Sequence, residues 1–529
     1  MLIGGDWGGG KPNKGLVANP SATLESFVIP TATTVSVDAA TTINASARGR
    51  GNGGKVVLWS DSETTFAGTI LARGGAKSGD GGFVEVSSHQ LLNYGGTTDT
   101  RAPKGTVGTL LLDPENLYVN ANGLPPNSDP TASAISADAL VQQLASNNVV
   151  LSTQPSGTHA GDIFVDAHVS WSTGNSLTLS AFRDILFMSG TQVTNTGAGN
   201  LVLRADNTGT GQGTVVFDSG GHVDYTHSTG TVSIFYNPGG SQTTKYQNPT
   251  NYFCPPCPGG GGVFVQQSSQ LTAYMLVNTA SDLDAVRTNQ SGTYALGPKI
   301  TFDPNQTFTP IPNFTGLFDG QGQTIANLTI ASTTQNIGLF GTIASAGEVR
   351  NLNLTNVSVN SSVNSQLVGT LAGTNAGTIS NVSATGIVQV AGGSTAGGLV
   401  GQNLGSISNS FASVDVGSPN VANLQVGGLV GNNSATILSS VALGTVQAGD
   451  ASVAGGLVAS NSVSGAITSS QASGNVTVGA ASVGGGLVGA NAGTITDSTA
   501  SGAVTSTGAN STVGALVGTN TGTITNSTG

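Results

Sequence analysis

Asp218-Ser219-Gly220-Gly221, followed by His222, is the stretch of this sequence whose residue types come nearest to a serine nucleophile. Such a serine needs a histidine to take its proton, a carboxylate to orient that histidine, and backbone N–H groups to receive the oxyanion. His159, Asp166 and His168 lie upstream. They fall within what reads as one repetitive sheet, whereas the chemistry on this pattern needs a double barrel. A tight turn uses Asp-Ser-Gly-Gly equally well. The expectation is a turn.

Cleavage of a polysaccharide would need paired carboxylates on neighbouring strands. After residue 350 the carboxylates are Asp415, Asp450 and Asp497, in non-equivalent places. Asp80, Asp113 and Asp319 each sit beside Gly or Pro, as corner residues do. Gly79-Asp-Gly-Gly starts like a calcium-binding nonapeptide but has no second turn. Cys254-Pro-Pro-Cys257 lacks the His or carboxylate that would complete a zinc site, and its surroundings lack the helix N-terminus a redox pair wants. Two readings stay open for Cys254 and Cys257: a small disulfide loop, or two idle thiols. Asn-x-Ser/Thr triplets (Asn327, Asn353, Asn356, Asn381, Asn475 and Asn510 among them) are what chance supplies in so Asn-, Ser- and Thr-rich a chain. No catalytic residue, metal or cofactor is expected.

Composition narrows the partners. Charged residues make up 8% of the 529, and 79 are glycine, far from the ~25% charge of ordinary soluble domains. Hydrophobicity is ordinary, so scarce charge reads as order rather than disorder. Net charge is −11 and the last Lys or Arg is Arg350, so the segment beyond it has nothing to neutralise phosphates and nucleic acid is not an expected partner. No run of ~18 apolar residues exists to span a membrane. Met1–Asp6 has neither the basic start nor the apolar stretch of a signal peptide, and Gly529 falls inside a repeat; a piece of a larger chain, or a product missing its start, is the expectation.

What positions these residues is a repeat. Leu-Phe-Gly starts at Leu339 and Leu-Ala-Gly at Leu371, and Leu-Val-Gly/Ala recurs at Leu399, Leu429, Leu457, Leu487 and Leu516, at intervals of 32, 28, 30, 28, 30 and 29 residues. Four places on stands an asparagine in six copies: Asn375, Asn403, Asn433, Asn461, Asn491 and Asn520. Eight places on stands Ile379, Ile407, Ile437, Ile495 or Ile524, and Ile467 follows a two-residue insertion around Ser462-Val463. Alanine (Ala384, Ala412, Ala442, Ala472, Ala500) and valine (Val388, Val416, Val446, Val476, Val504) hold the fifth and ninth places after the isoleucine. Those offsets share one face of a strand. One copy is too poor in bulk to bury a face, but stacked copies bury a continuous column. The spacing predicts a parallel β-helix, with the asparagines as a ladder of amides about 4.8 Å apart. A β-propeller, the alternative repeat architecture, would carry aromatic signatures absent here.

Gly-Gly-Leu-Val-Gly-Gln-Asn-Leu-Gly-Ser-Ile-Ser-Asn-Ser (397–410) resembles the GLUG motif of bacterial surface proteins. Its lead-in, Tyr294-Ala-Leu-Gly and Phe314-Thr-Gly-Leu-Phe-Asp-Gly-Gln-Gly-Gln-Thr-Ile, extends the likeness from about 270 to the end. The motif occurs in adhesins and also beside protease domains. Earlier in the chain, Gly-Asn-Gly-Gly-Lys-Val-Val-Leu-Trp-Ser (51–60) returns 28 residues later as Gly-Asp-Gly-Gly-Phe-Val-Glu-Val-Ser-Ser (79–88), with an echo at Gly105-Thr-Val-Gly-Thr-Leu-Leu-Leu-Asp-Pro. With Gly4-Gly-Asp-Trp-Gly-Gly-Gly and Ala72-Arg-Gly-Gly-Ala, these phrases resemble filamentous-haemagglutinin-like exoproteins of two-partner secretion. That resemblance implies a Gram-negative origin, export through an outer-membrane transporter, and a host-cell surface protein or glycan as partner.

The fold expected is all-β: a right-handed parallel β-helix in two segments, the hand following from the crossover rule and the resemblance. The divisions expected are haemagglutinin-like coils over 1–120, further coils over 121–253 with one helix from Ser136 to Ser146, a Cys-Pro-Pro-Cys/Gly linker over 254–262, and GLUG repeats over 263–529. The function expected is a non-enzymatic secreted or surface-exposed adhesin. The alternatives are the stalk of a surface hydrolase whose catalytic domain lies outside this chain, and a β-helix carbohydrate-active enzyme.

Overall fold

Strands that alternate apolar and polar residues bury one face only when a partner lies in register above and below them. That is what the chain does in the computed structural model, which describes residues 1–5, 30–155, 159–241, 243–254 and 261–529. It is nearly all β, with parallel strands stacked as a β-solenoid of about 17 turns. Two compact units divide it: Met1–Pro238 with Pro249–Leu276, and Gly239–Asn248 with Val277–Gly529.

In the first unit the glycine-led phrases of the sequence lie directly on one another. Strand Lys55–Phe66 pairs with Phe83–Ser88 in the register Val56↔Val84 and Leu58↔Val86, and Val84 and Val86 then stack on Leu110 and Leu112. The column continues through Val149/Leu151, Leu177/Leu179, Leu201/Leu203 and Val232/Ile234, all essentially sealed from solvent. Two further parallel sheets close the coils, one through Ile163, Ile185 and Val215 and one through Val169, Val193 and Val223. Helix α1, Ala137–Leu144, starts where Ser136 accepts the Ala139 N–H at 3.1 Å, and buries Leu140 and Leu144.

The second unit is the repeat. Its isoleucines form one column, Ile379↔Ile407↔Ile437↔Ile467↔Ile495↔Ile524. Ile467 keeps its place because the two-residue insertion loops out, leaving Val463 83% exposed. The alanine column, Ala384 to Ala500, and the valine column, Val388 to Val504, stack in the same way. The leucines of the motif, Leu339 to Leu487, are fully buried. The glycine before each leucine is there for want of room: a Cβ on Gly398, Gly428, Gly456 or Gly486 would meet the next coil's carbonyl oxygen at 2.1, 2.1, 2.0 or 1.8 Å.

Two features depart from the expected organisation. The units do not divide at 254–262, because Gly262–Val265 pairs with His222–Tyr225 and Leu271–Met275 pairs with Val232–Tyr236 inside the first unit. Instead Gly239–Asn248 joins the second unit, where Lys245 Nζ meets Asp282 Oδ1 at 2.8 Å and Tyr246 packs edge-on against Tyr294. There is also a second helix, α2, Ala280–Ala285, capped by Thr279, whose side chain accepts the Asp282 N–H. Among the described residues no helix is long and apolar enough to cross a membrane.

Candidate functional site

The sharpest constellation in the chain is the asparagine column. Each amide Nδ2 donates to the Oδ1 of the next coil: Asn375 to Asn403, Asn403 to Asn433 and Asn433 to Asn461 at 2.8 Å, Asn461 to Asn491 and Asn491 to Asn520 at 2.7 Å. The second Nδ2 hydrogen stays in its own coil, on the carbonyl of Gly377, Gly405, Ala435, Gly465 or Gly493. An amide offers two donors and two acceptor sites, and the geometry engages both ends. Asn375 to Asn491 are buried, whereas Asn520, in the last coil, is exposed. Ile343 stacks on Asn375 and begins the column without an amide.

A second column was not foreseen. Ser410, Ser440, Ser470 and Ser498 each accept the backbone N–H of the coil before at 3.1–3.4 Å and donate to the carbonyl two residues upstream at 2.8–2.9 Å. The signal was legible: serine holds the eleventh place after the leucine in Ser410, Ser440, Ser498 and Ser527. The residue just before each serine has a left-handed backbone, φ 48–50° at Asn409, Ser439, Ser469 and Asp497, a conformation Asn and Asp adopt more readily than other side chains. Asp497 is thus a turn residue. Asp415 and Asp450 likewise accept N–H groups of the following coil, from Thr445 at 2.9 Å and Ala480 at 2.7 Å.

The nucleophile-like stretch is a turn. Gly221 N–H donates to Asp218 O at 2.7 Å, and the Ser219 carbonyl accepts from Ser189 Oγ and Gly190 N of the neighbouring coil. His222 Nδ1 lies 2.9 Å from Gly220 O, while Asp166 and His168 are exposed. His159 is held elsewhere, with Nδ1 3.0 Å from Glu115 and Nε2 2.8 Å from Asp129. Two carboxylates at 3.0 Å or less from the ring nitrogens favour the charged ring. Burial works against that charge, but the bonds to Glu115 and Asp129 outweigh it and raise the pKa.

The remaining candidates are structural in place. Asp80 accepts from Thr106 N at 2.8 Å. Asp113 and Asp319 are buried at the ends of their strands; Asp319 accepts the Gln321 N–H at 2.9 Å, as a turn residue does, and is paired with Arg350 at 2.7 Å. Asn356 and Asn381 donate across coils to Asn327 and Asn351. Cys254 is buried and disulfide-bonded; Cys257 lies outside the described residues. Among the described residues no group of three or more His, Cys, Asp or Glu is placed to hold a metal ion.

Residues 392–417, one copy of the repeat, match the family model of the GLUG motif. The chain thus carries a match to the GLUG motif over these residues. It is also similar to halomucin of Haloquadratum walsbyi, 28% identical over 382 residues, which is 64% of this chain and 4% of that protein. The chain therefore spans a small part of that relative's length. Among solved structures, a "putative immunoglobulin A1 protease" of Bacteroides ovatus aligns with 50% of this chain and 85% of its own, at a TM-score of 0.40 and 20% identity.

Proposed function

We propose that the chain is a non-enzymatic adhesive segment of a secreted or surface-exposed protein. The observation that carries this reading is how the repeat uses its residues. Leucine, isoleucine, alanine, asparagine and serine recur only in columns that hold one coil to the next. Recurrence is thus spent on scaffold, and the outward faces carry short polar side chains suited to many weak contacts. The halomucin similarity supports placement outside the cell. Export by a two-partner route through an outer-membrane transporter rests on the haemagglutinin-like phrases over 1–114. In this reading the partner is a surface protein or glycan of another cell. The test is adhesion of epithelial cells to surfaces coated with the folded chain. Retention well above that on the heat-unfolded chain is expected. Equal retention on both would end the adhesive reading.

A further inference from the structure

The first unit holds a groove of about 690 Å³ with a character unlike the rest of this acidic chain. Three arginines line it, Arg48, Arg73 and Arg101, around a small aliphatic surface that includes Ala47, Pro103 and Val107. The backbone beneath is fixed: Ala47 N–H donates to Arg73 O and Gly74 N–H to Arg101 O, both at 3.0 Å. Arg73 and Arg101 therefore sit one above the other on successive coils.

Two arginines stacked this closely would repel unless something sat between them. Asp99 does so. Arg73 Nε donates to its Oδ2 at 2.7 Å, and Arg101 donates to its Oδ1 through Nε at 3.0 Å and to its Oδ2 through Nη2 at 2.6 Å. Burial pushes the Asp99 carboxyl up, but the hydrogen bonds from Arg101 and Arg73 prevail and hold it at about 2. Asp99 is thus a fixed anion that orients both guanidinium planes. Each fork spends its Nε–Nη2 edge on Asp99, which leaves the two Nη1 hydrogens of each for a ligand. The side chains of Arg73 and Arg101 are 45% and 56% exposed, and Arg48 is exposed as well. Three guanidinium groups face one carboxylate, so the groove keeps positive charge in a protein of net charge −11.

Preoriented guanidinium groups select planar, two-oxygen anions. The aliphatic surface beside them offers a flat apolar face to a ring's C–H groups. Among the described residues no aromatic side chain lines the groove, so they do not supply the stacking that single-stranded nucleic acid relies on. We propose that this groove binds an acidic sugar residue of a glycan, with Arg101, Arg73 and Arg48 taking its carboxylate and Ala47, Pro103 and Val107 its ring. This ligand class rests on the adhesive reading for its setting, whereas binding is measured on the isolated chain, so the two fail separately.

The test is calorimetric titration of the full chain with the methyl glycosides of glucuronic acid and N-acetylneuraminic acid, against methyl glucoside and a tri-glutamate peptide. At least one acidic sugar is expected to bind about 10-fold more tightly than the neutral sugar or the peptide, and to weaken with salt. Arg48→Gln, which leaves the Asp99 cluster intact, is expected to weaken binding about 5-fold with an unchanged melting temperature, and Arg101→Gln to weaken it further. No binding of either acidic sugar, equal binding of the neutral sugar or the peptide, or unchanged binding by both variants would overturn the proposal. Cell adhesion that survives the loss of acidic-sugar binding would also overturn the groove as the adhesive site while leaving the chain an adhesin. Sugar binding without adhesion would support the groove and remove the adhesive reading.

Discussion

The two units stack strands on the same plan and fill their columns differently. In the first, identity holds over short runs such as Val169, Val193 and Val223, and elsewhere neighbouring coils share only shape: Phe66 meets Tyr94, Tyr118 stacks on Phe164 at 4.3 Å, and Phe235 on Tyr274 at 4.7 Å. Its charges are local clusters such as Arg73–Asp99–Arg101 and His159 between Glu115 and Asp129. In the second, beyond Phe340, the columns are chains of identical small residues, and no Lys or Arg follows Arg350. The contrast has an electrostatic cause. Identical neutral amides 4.8 Å apart satisfy one another, because each is donor on one side and acceptor on the other. Identical charges at that spacing repel by about 1 kcal/mol in water and about 3–4 at an effective dielectric of 20. A strict repeat therefore excludes charge from its columns, and a binding site built on arginine belongs where the repeat is loose.

The largest effect that breaks this contrast should come from the core of the strict repeat. Leu429 is fully buried between Leu399 and Leu457, so Leu429→Ala should destabilise by roughly 2–5 kcal/mol. Chemical denaturation followed on the second unit's strands would show it. Because each coil contacts only its neighbours, the loss should appear as a separate early transition rather than a uniform shift. A single shifted transition would mean that the unit melts as one body, and the proposed independence of coils would fall.

Next comes the polarity of the asparagine column. Asn433 accepts from Asn403 and donates to Asn461 and to Ala435 O. In Asn433→Asp the carboxylate can still accept from Asn403, but both donations are lost and Asn461 Oδ1 faces an anion. A buried group left unsatisfied costs about 1–3 kcal/mol, and more with a charge. Hydrogen exchange should therefore quicken in Val458–Asn461 and stay slow in Val400–Asn403. Symmetric loss, or none, would show that the bonds do not run in one direction. Smaller again is Ser440→Ala, which removes a 3.3 Å acceptor from the Ser410 N–H and a 2.9 Å donor to Leu438 O. About 1 kcal/mol is expected from thermal melting of the variant beside the parent chain.

What could be read beforehand follows the same division. The leucine, isoleucine, alanine, valine and asparagine registers were legible because each residue recurs in the chain at the spacing at which it stacks. The insertion before Ile467 was legible for that reason too. Helix α1 announced itself through Ser136, whereas α2 was passed over although Thr279 and Asp282 stand at capping distance. The reach of Gly239–Asn248 into the second unit was not legible: Lys245 and Asp282 are a buried pair 37 residues apart, outside any period. The burial of Asp319 was hidden likewise, since Arg350 comes from the next coil. The arginine groove lay between these cases. Arg73 and Arg101 are 28 residues apart, the period of that segment, but Asp99 between them shows its role only in three dimensions.

The smallest effect expected lies in the first unit, where a charged cluster replaces a ladder. His159 is 11% exposed between Glu115 and Asp129, and its pKa is raised above the ordinary histidine value. A group whose pKa is higher folded than unfolded binds its proton more tightly in the folded state, so it stabilises at low pH. That contribution is complete below the unfolded value of about 6.5 and is lost as pH rises through the folded one. The first unit should therefore melt at a lower temperature once pH passes that window, with no further change from this residue above it. His159→Asn keeps a polar side chain but cannot charge, so it should flatten this part of the profile and bring the variant closest to the parent at high pH. Screening at the partly exposed pair keeps the effect small, and calorimetric melts at several pH values between 5 and 9 would resolve it. A parent whose first-unit transition keeps the same slope as the variant's throughout would show that the ring gives up its proton in the folded state as readily as in the unfolded one. The second unit carries no histidine, so its own transition provides the flat reference in the same scan.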